Sequence, residues 1–191
     1  MGLFGADLPA GFRYEEDFVS RADESSLAAH IAGVEFSTFE MRGVVARRRV
    51  AFFGLSYDAR NTPSPPLPGF LLPLRARLGD WVGVNADEFA MALINEYSPG
   101  APIGWHRDAP QYGIVTGVSL LAACRMRLRP YVSPAAPGKS ASPRKTTHEI
   151  ELRPRSAYLI SGQARRDYEH SIPAVAELRY SITFRTLRKD G

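Results

Sequence analysis

In the second half of the chain, hydrophobic and polar residues alternate with period two rather than at helical spacing. Phe89 to Tyr97, Val115 to Leu121, Arg125 to Arg129, His148 to Leu152, Ala157 to Ser161 and Leu178 to Leu187 all read this way. Successive side chains of a strand point to opposite faces, so each segment is an expected strand. Glycine and proline, with 16 and 15 copies, cluster where the periodicity breaks. That punctuation suits many short elements joined by turns better than a helix bundle. A chain of 191 residues supports one sizeable core and is short for two independent domains.

The first half differs. Ser20 to Val34 is an expected helix, with Ser20 or Asp23 as cap, early acidic residues, and Leu27, Ile31 and Val34 at helical spacing. Phe36 to Phe53 reads as strands around Gly43, and Leu71 to Val84 as a second helix. Between them, Asn61 to Gly69 carries four prolines in nine residues, which defeats both ladder and helix hydrogen bonding. Ser133 to Thr147, rich in Pro, Ser, Ala and Gly, reads as a mobile loop. The expected class is mainly β with flanking helices (α+β). Residues 1–191 form one domain: 1–88 supply N-terminal helices and a lid, and 89–188 a two-sheet jelly-roll core on which two helices pack.

Composition narrows the setting. One cysteine, Cys124, excludes an intrachain disulfide and suits a reducing, cytoplasmic compartment; it reads as a buried core residue. No signal-peptide pattern is present in Met1 to Ala10, and no apolar run is long enough to span a bilayer. The net charge of +4 is compatible with nucleic acid without establishing it. Nothing marks an obligate protein partner.

The segment Asn95-Glu-Tyr-Ser-Pro-Gly-Ala-Pro-Ile-Gly-Trp-His106-Arg-Asp108 carries the chemistry. At spacing i, i+2 in an extended chain, His106 and Asp108 can converge on one point. An imidazole and a carboxylate so placed, joined by a distant histidine, make a 2-His-1-carboxylate facial triad, which leaves octahedral positions of iron free. Alone, His-x-Asp is a weak signal that reads first as a surface histidine beside a turn aspartate. His170 follows the turn-rich Gly162 to Glu169 and precedes the last strand; His30 and His148 compete for the third position. On that last strand Arg179, Ser181, Thr183 and Arg185 share one face, with Tyr180, Ile182 and Phe184 on the other. The arginines either stand in water, as on any half-exposed strand, or pair bidentately with a dicarboxylate. Phe89, Met91, Leu93, Asn95 and Tyr97 are expected on one face that turns polar toward His106.

The ordered set Asn95-x-Tyr97, His106-x-Asp108, His170 and Arg179-x5-Arg185 resembles the signature of the AlkB family of Fe(II)- and 2-oxoglutarate-dependent dioxygenases, weakly from about Arg13 and strongly from Ala90 to Arg188. The resemblance implies a double-stranded β-helix with an N-terminal lid. It implies Fe(II) held by His106, Asp108 and His170, with 2-oxoglutarate and O2 as cosubstrates. Arg179 then matches the arginine on the distal carboxylate of 2-oxoglutarate, Arg185 the one near its proximal end, and Asn95 and Tyr97 the hydrogen-bonding pair; Ser181 stands where several members carry Asn. The family reaction is oxidative demethylation of N-alkylated bases in DNA or RNA. The sequence departs from the pattern at Pro110, where some base demethylases carry an acidic residue.

Substrate contacts are expected from the lid and from Trp105. In the lid, Arg42, Arg47, Arg48 and Arg49 interleave with Phe52, Phe53 and Tyr57. Basic residues track phosphates and aromatic faces stack single-stranded bases; a strand with one solvated basic face and one buried aromatic face explains the pattern equally. Arg125, Arg127 and Arg129 line one strand face, either for phosphates or to protect a sheet edge. The same iron chemistry on a protein side chain or small molecule, and a non-catalytic jelly-roll binding module, are the competing functions.

Overall fold

The computed structural model describes residues 8–41, 44–55, 64–132 and 147–188. Strand β1 (Phe12–Glu15) and helix α1 (Arg21–Ala32) come first, then β2 (Ser37–Met41), β3 (Val44–Gly54) and α2 (Leu72–Val82). The body follows as β4 (Phe89–Tyr97), β5 (Ile103–His106), β6 (Tyr112–Leu120), β7 (Cys124–Pro130), β8 (His148–Leu152), β9 (Ala157–Ile160), a short helix α3 (Gly162–Arg166), β10 (Tyr168–Ile172) and β11 (Arg179–Leu187). Helix α1 starts at a reciprocal cap: the Ser20 hydroxyl accepts from the Asp23 amide at 3.0 Å, and the Asp23 carboxylate accepts from the Ser20 amide at 3.1 Å. No helix among the described residues is long and apolar enough to cross a membrane.

The strands form two antiparallel sheets, ordered β1-β9-β6-β11-β4-β3-β2 and β5-β10-β7-β8. This is the jelly-roll arrangement expected from the alternation. The last strand, β11, is central in the larger sheet between β4 and β6. Its Tyr180, Ile182 and Phe184 join Ile94, Ala92, Val118 and Leu120 beneath the two helices, packed against Ile31, Leu74 and Leu78. Its other face turns toward the smaller sheet. A second apolar cluster, including Met126, Leu128, Leu152, Ile160 and Ile172, fills part of the space there. Cys124 belongs to it, buried and unpaired as expected.

Several sequence expectations are corrected. β1, β5, α3 and β10 were not anticipated, although β5 and β10 carry the two candidate ligand histidines. Phe89 does not share the inner face of β4: the register against β11 slips between Arg185–Met91 and Thr186–Phe89, and Phe89 packs in the helix-covered core. The extra residue is a β-bulge, which reverses the side-chain parity beyond it. Phe53 likewise lies 8% exposed in the helix-covered core, opposite Ala92, so its ring is closed to a substrate base. Its neighbour Phe52, opposite Leu93, takes the inner face. Arg42 and Tyr57 lie outside the described residues.

Gly117 on β6 leaves the space that the side chains of its two neighbours, Tyr158 on β9 and Thr183 on β11, occupy. A Cβ there would stand 2.8 Å from the Tyr158 ring and 2.9 Å from Thr183 Cγ2, both buried. Gly117→Ala is therefore expected to lower unfolding stability by about 1–3 kcal/mol through overpacking. Urea denaturation checks this, and an unchanged midpoint would mean that Tyr158 tips aside without cost.

Candidate metal and cosubstrate site

The two histidines meet across a strand pair. His170 on β10 stands directly opposite His106 on β5, and their ring centres are 4.3 Å apart. His106 Nδ1 lies 2.9 Å from the Gly104 carbonyl, which can only accept. The ring proton is therefore drawn to Nδ1, and the Nε2 lone pair is left to a ligand. Asp108, two residues beyond His106 and just past the end of β5, is 7% exposed, with Oδ2 3.8 Å from His170 Nε2. Cis ligands about 2.1 Å from one ion stand roughly 3 Å apart, so the trio is slightly open. No set of three such side chains among the described residues is closed to the spacing of a formed metal cluster. The competing histidines lie elsewhere. His30 is on α1, stacked on Phe70, and His148 sits on β8, two strands from His170.

Electrostatics favour metal-ready protonation states. Burial alone would raise the Asp108 carboxyl, but Arg185, then His170 and His106, outweigh it and hold the acid well below its usual range. Burial pushes His170 down to about 3, helped by His106 and opposed by Asp108, and burial also lowers His106. Both imidazoles are thus neutral at pH 7 and able to donate a lone pair.

Arg185 is engaged by the ligand aspartate. Its Nε and Nη2 donate to Asp108 Oδ1 at 2.8 and 2.7 Å, and Nη1 donates to Thr183 Oγ1 at 3.0 Å. It was expected at the proximal end of 2-oxoglutarate; its fork instead orients Asp108, so that Oδ2 faces the histidines. Arg179, six residues back on the same face, is fully buried. Its Nε donates to Ser119 Oγ at 3.0 Å, while Nη1 and Nη2 are buried without a hydrogen-bond partner. The guanidinium lies 5.0 Å from the centre of the Tyr97 ring. Tyr97 stands opposite Arg179 in the β4–β11 register, and Asn95 opposite Ser181.

These residues surround a cavity of about 160 Å³ between the sheets. His106, Asp108, His170, Asn95, Tyr97, Ser181 and Arg185 line it, with Trp105 and Phe52 among the apolar walls. All the expected ligand and cosubstrate residues except Arg179 are on that wall; Arg179 sits immediately behind it, beside Tyr97. Two further residues were not marked as site residues by sequence. Arg48, one of several lid arginines, reaches in to donate from Nε to Asn95 Oδ1 at 3.3 Å. Tyr158 on β9 also lines the cavity, and burial pushes its phenol up. Nothing in the alternation of β9 distinguishes Tyr158 from a core residue. Pro110 is exposed beyond the ligand turn. Arg165 on α3 holds that turn: its Nη2 donates to the carbonyls of Asp108, Ala109 and Tyr112 at 3.3, 2.6 and 3.0 Å.

The strand of arginines on β7 is committed to carboxylates. Arg125 and Arg127 pair with Glu149 at 3.3 and 2.8 Å, and Arg129 pairs with Glu169 at 2.6 Å while stacking 4.0 Å from the Trp105 ring. Their expected role as phosphate contacts loses its main support.

Fold and site together are a jelly roll with two histidines and a carboxylate gathered between its sheets beside a buried cation. Residues 35–185 match the 2OG-Fe(II) oxygenase superfamily. The chain belongs to that superfamily. It is 28% identical over 177 residues to the alkylated DNA repair protein ALKBH8 homolog of Arabidopsis thaliana, covering 82% of this chain. The chain spans about half, 49%, of that relative's length. An uncharacterized protein of Acanthamoeba polyphaga mimivirus is 31% identical, over 94% of this chain and 86% of the relative. Among solved structures, OsALKBH1 superposes with a TM-score of 0.68 at 14% identity, over 94% of this chain and 99% of the other. A Pseudomonas putida prolyl-4-hydroxylase superposes with a TM-score of 0.63 at 13% identity, over 94% of each chain. At these identities both structures speak for the fold alone.

A stability consequence follows from His170. Its folded-state pKa of about 3 lies below the ordinary 6.5, so between these values the unfolded chain takes up a proton that the folded chain refuses. Metal-free protein should therefore lose about 1.4 kcal/mol of stability per pH unit below 6.5 from this group. Urea midpoints of wild type and His170→Gln, taken from pH 7.5 to 5, check this. The variant should show the shallower slope, and equal slopes would contradict the assigned shift.

Proposed function

We propose that the protein is an Fe(II)- and 2-oxoglutarate-dependent oxygenase that oxidatively demethylates N-alkylated bases in single-stranded DNA or RNA. The observation that carries the cosubstrate assignment is Arg179: a fully buried guanidinium with two terminal nitrogens lacking partners. An uncompensated buried charge is costly, and a carboxylate is the group that matches its planar fork. His106, Asp108 and His170 are the residues that would hold the iron, since two neutral imidazoles and one carboxylate leave room for cosubstrate and oxygen. Bound iron and 2-oxoglutarate would supply the oxidation, in which O2 is consumed, CO2 and succinate are released and an N-methyl carbon is hydroxylated.

The remaining tasks fall to the chain. Arg179 anchors the distal carboxylate, with Asn95, Tyr97 and Ser181 placed to hydrogen-bond the cosubstrate. Arg185 keeps Asp108 ionised and turned toward the histidines. Trp105, Phe52 and Arg48 form the wall against which a flipped base would rest. Hydroxylation at the N-methyl group leaves a product that collapses to formaldehyde and the free amine. The nucleic-acid substrate draws support from the basic chain, the arginine and aromatic wall, and the DNA-repair name carried by the Arabidopsis relative. Pro110, in place of an acidic residue, favours a second reading in which the same chemistry acts on a protein side chain or small molecule.

Arg179→Ala should weaken 2-oxoglutarate binding to the Mn(II)-loaded protein by about two to three orders of magnitude, the equivalent of losing one partner of a buried pair. Arg179→Lys should restore little, because an ammonium cannot make the two-point contact. Calorimetric titration measures both, and an Arg179→Ala protein with wild-type affinity would remove the site. For the substrate, mass spectrometry of a methylated single-stranded oligonucleotide panel incubated with enzyme, Fe(II), ascorbate and 2-oxoglutarate should show loss of 14 Da, a CH2 unit, at about one base class. Robust succinate production with no demethylated member would transfer the reading to the protein or small-molecule substrate.

A further inference from the structure

On the outer side of the ligand turn lies a second, larger hollow of about 1200 Å³, which runs up to His106 and Asp108. It exceeds the roughly 300–1,000 Å³ of small-molecule pockets, so its dimensions suit an extended ligand. Arg107, Arg166 and Arg188 line it and are exposed, and none has a carboxylate partner among the described residues. Two of the three carboxylates in its wall are held by arginines, and the third, Glu88, is outnumbered by the groove's cations. Asp108 is held by Arg185, Glu169 by Arg129, and Glu88 accepts from the Asn85 amide at 3.3 Å. The groove therefore offers unmatched positive charge beside the reacting centre. It also offers flat surfaces. Tyr131, 36% exposed, carries the Arg107 guanidinium 3.8 Å from its ring centre.

We propose that this groove carries the strand of a single-stranded nucleic acid leading away from the reacting base, with Arg107, Arg166 and Arg188 on phosphates and Tyr131 with its stacked arginine against a neighbouring base. This rests on the nucleic-acid reading above and assigns its binding surface. The three cations of β7 are largely offset by Glu149 and Glu169, so they offer a polyanion less than the groove does. An acidic peptide would match the charge but has no planar group to use the arginine-on-tyrosine surface, whereas every base has a π face.

The test is fluorescence anisotropy of the full chain with a labelled 12-nucleotide single-stranded oligothymidylate across a salt series. Each phosphate contact removed should lower the log-log salt slope by about 0.7, so the Arg107→Gln, Arg166→Gln, Arg188→Gln protein should lose about 2 from it. Arg188→Gln alone should lose about 0.7, which keeps the test valid should the triple variant misfold. Arg125→Gln with Arg127→Gln should retain the wild-type slope, and 2-oxoglutarate affinity should stay unchanged in all of them. If wild type binds and demethylates oligonucleotide but the groove variants bind with the wild-type slope, the groove assignment is overturned and the function stands. If wild type neither binds at the lowest salt nor demethylates the panel, both fall. If the groove variants lose binding to labelled poly-L-glutamate while oligothymidylate binding is untouched, the groove belongs to an acidic peptide and the proposal is overturned.

Discussion

The inner face of β11 carries two arginines through the middle of a sheet, and the site exists because that charge must be answered. A buried guanidinium left alone costs several kcal/mol, so its partners are not optional. Arg185 is answered within the protein, by Asp108 from the turn after β5. This one pair crosses from the larger sheet to a turn of the smaller one. It ties the ligand carboxylate to the most protected strand of the fold and keeps the acid ionised. Arg179 is answered only in part, by the Ser119 hydroxyl. The difference between the two arginines is that one has its full ion-pair partner in the fold and the other keeps two terminal nitrogens unpaired.

The apolar face of the same strand explains how such a burden is carried. Tyr180, Ile182 and Phe184 are covered by both helices, and β11 bonds to neighbours on each side over nearly its whole length. Buried apolar area contributes about 25 cal/mol per Å², so the helix-covered face offsets what the polar face costs. The N-terminal helices thus stabilise the site without touching it.

Much of this was legible in the chain because period two survives wherever a strand is regular. The shared face of Arg179, Ser181, Thr183 and Arg185 could be read directly, as could His106 with Asp108. What could not be read depends on partners distant in sequence. The bulge in β4 that turns Phe89 outward leaves no mark in the alternation, and the choice between Phe52 and Phe53 follows from their register against β4. β5 and β10 are short, and β5 follows a stretch rich in Pro and Gly, so they read as loops although their pairing sets the two histidines side by side. The β7 arginines were correctly expected on the outer face, but only the neighbouring strands supply Glu149 and Glu169.

Arg165 gives the ligand turn a second attachment. Its guanidinium holds the carbonyls of residues 108, 109 and 112, and it sits on α3, the helix that leads directly into the strand bearing His170. Asp108 is therefore fastened through its side chain to one sheet and through its backbone to the segment that carries His170. Ordering a free segment costs about 1–2 kcal/mol per residue in backbone entropy. The contacts that order this turn come from the chain itself, through Arg165 and Arg185, so holding it in place does not draw on any further binding partner.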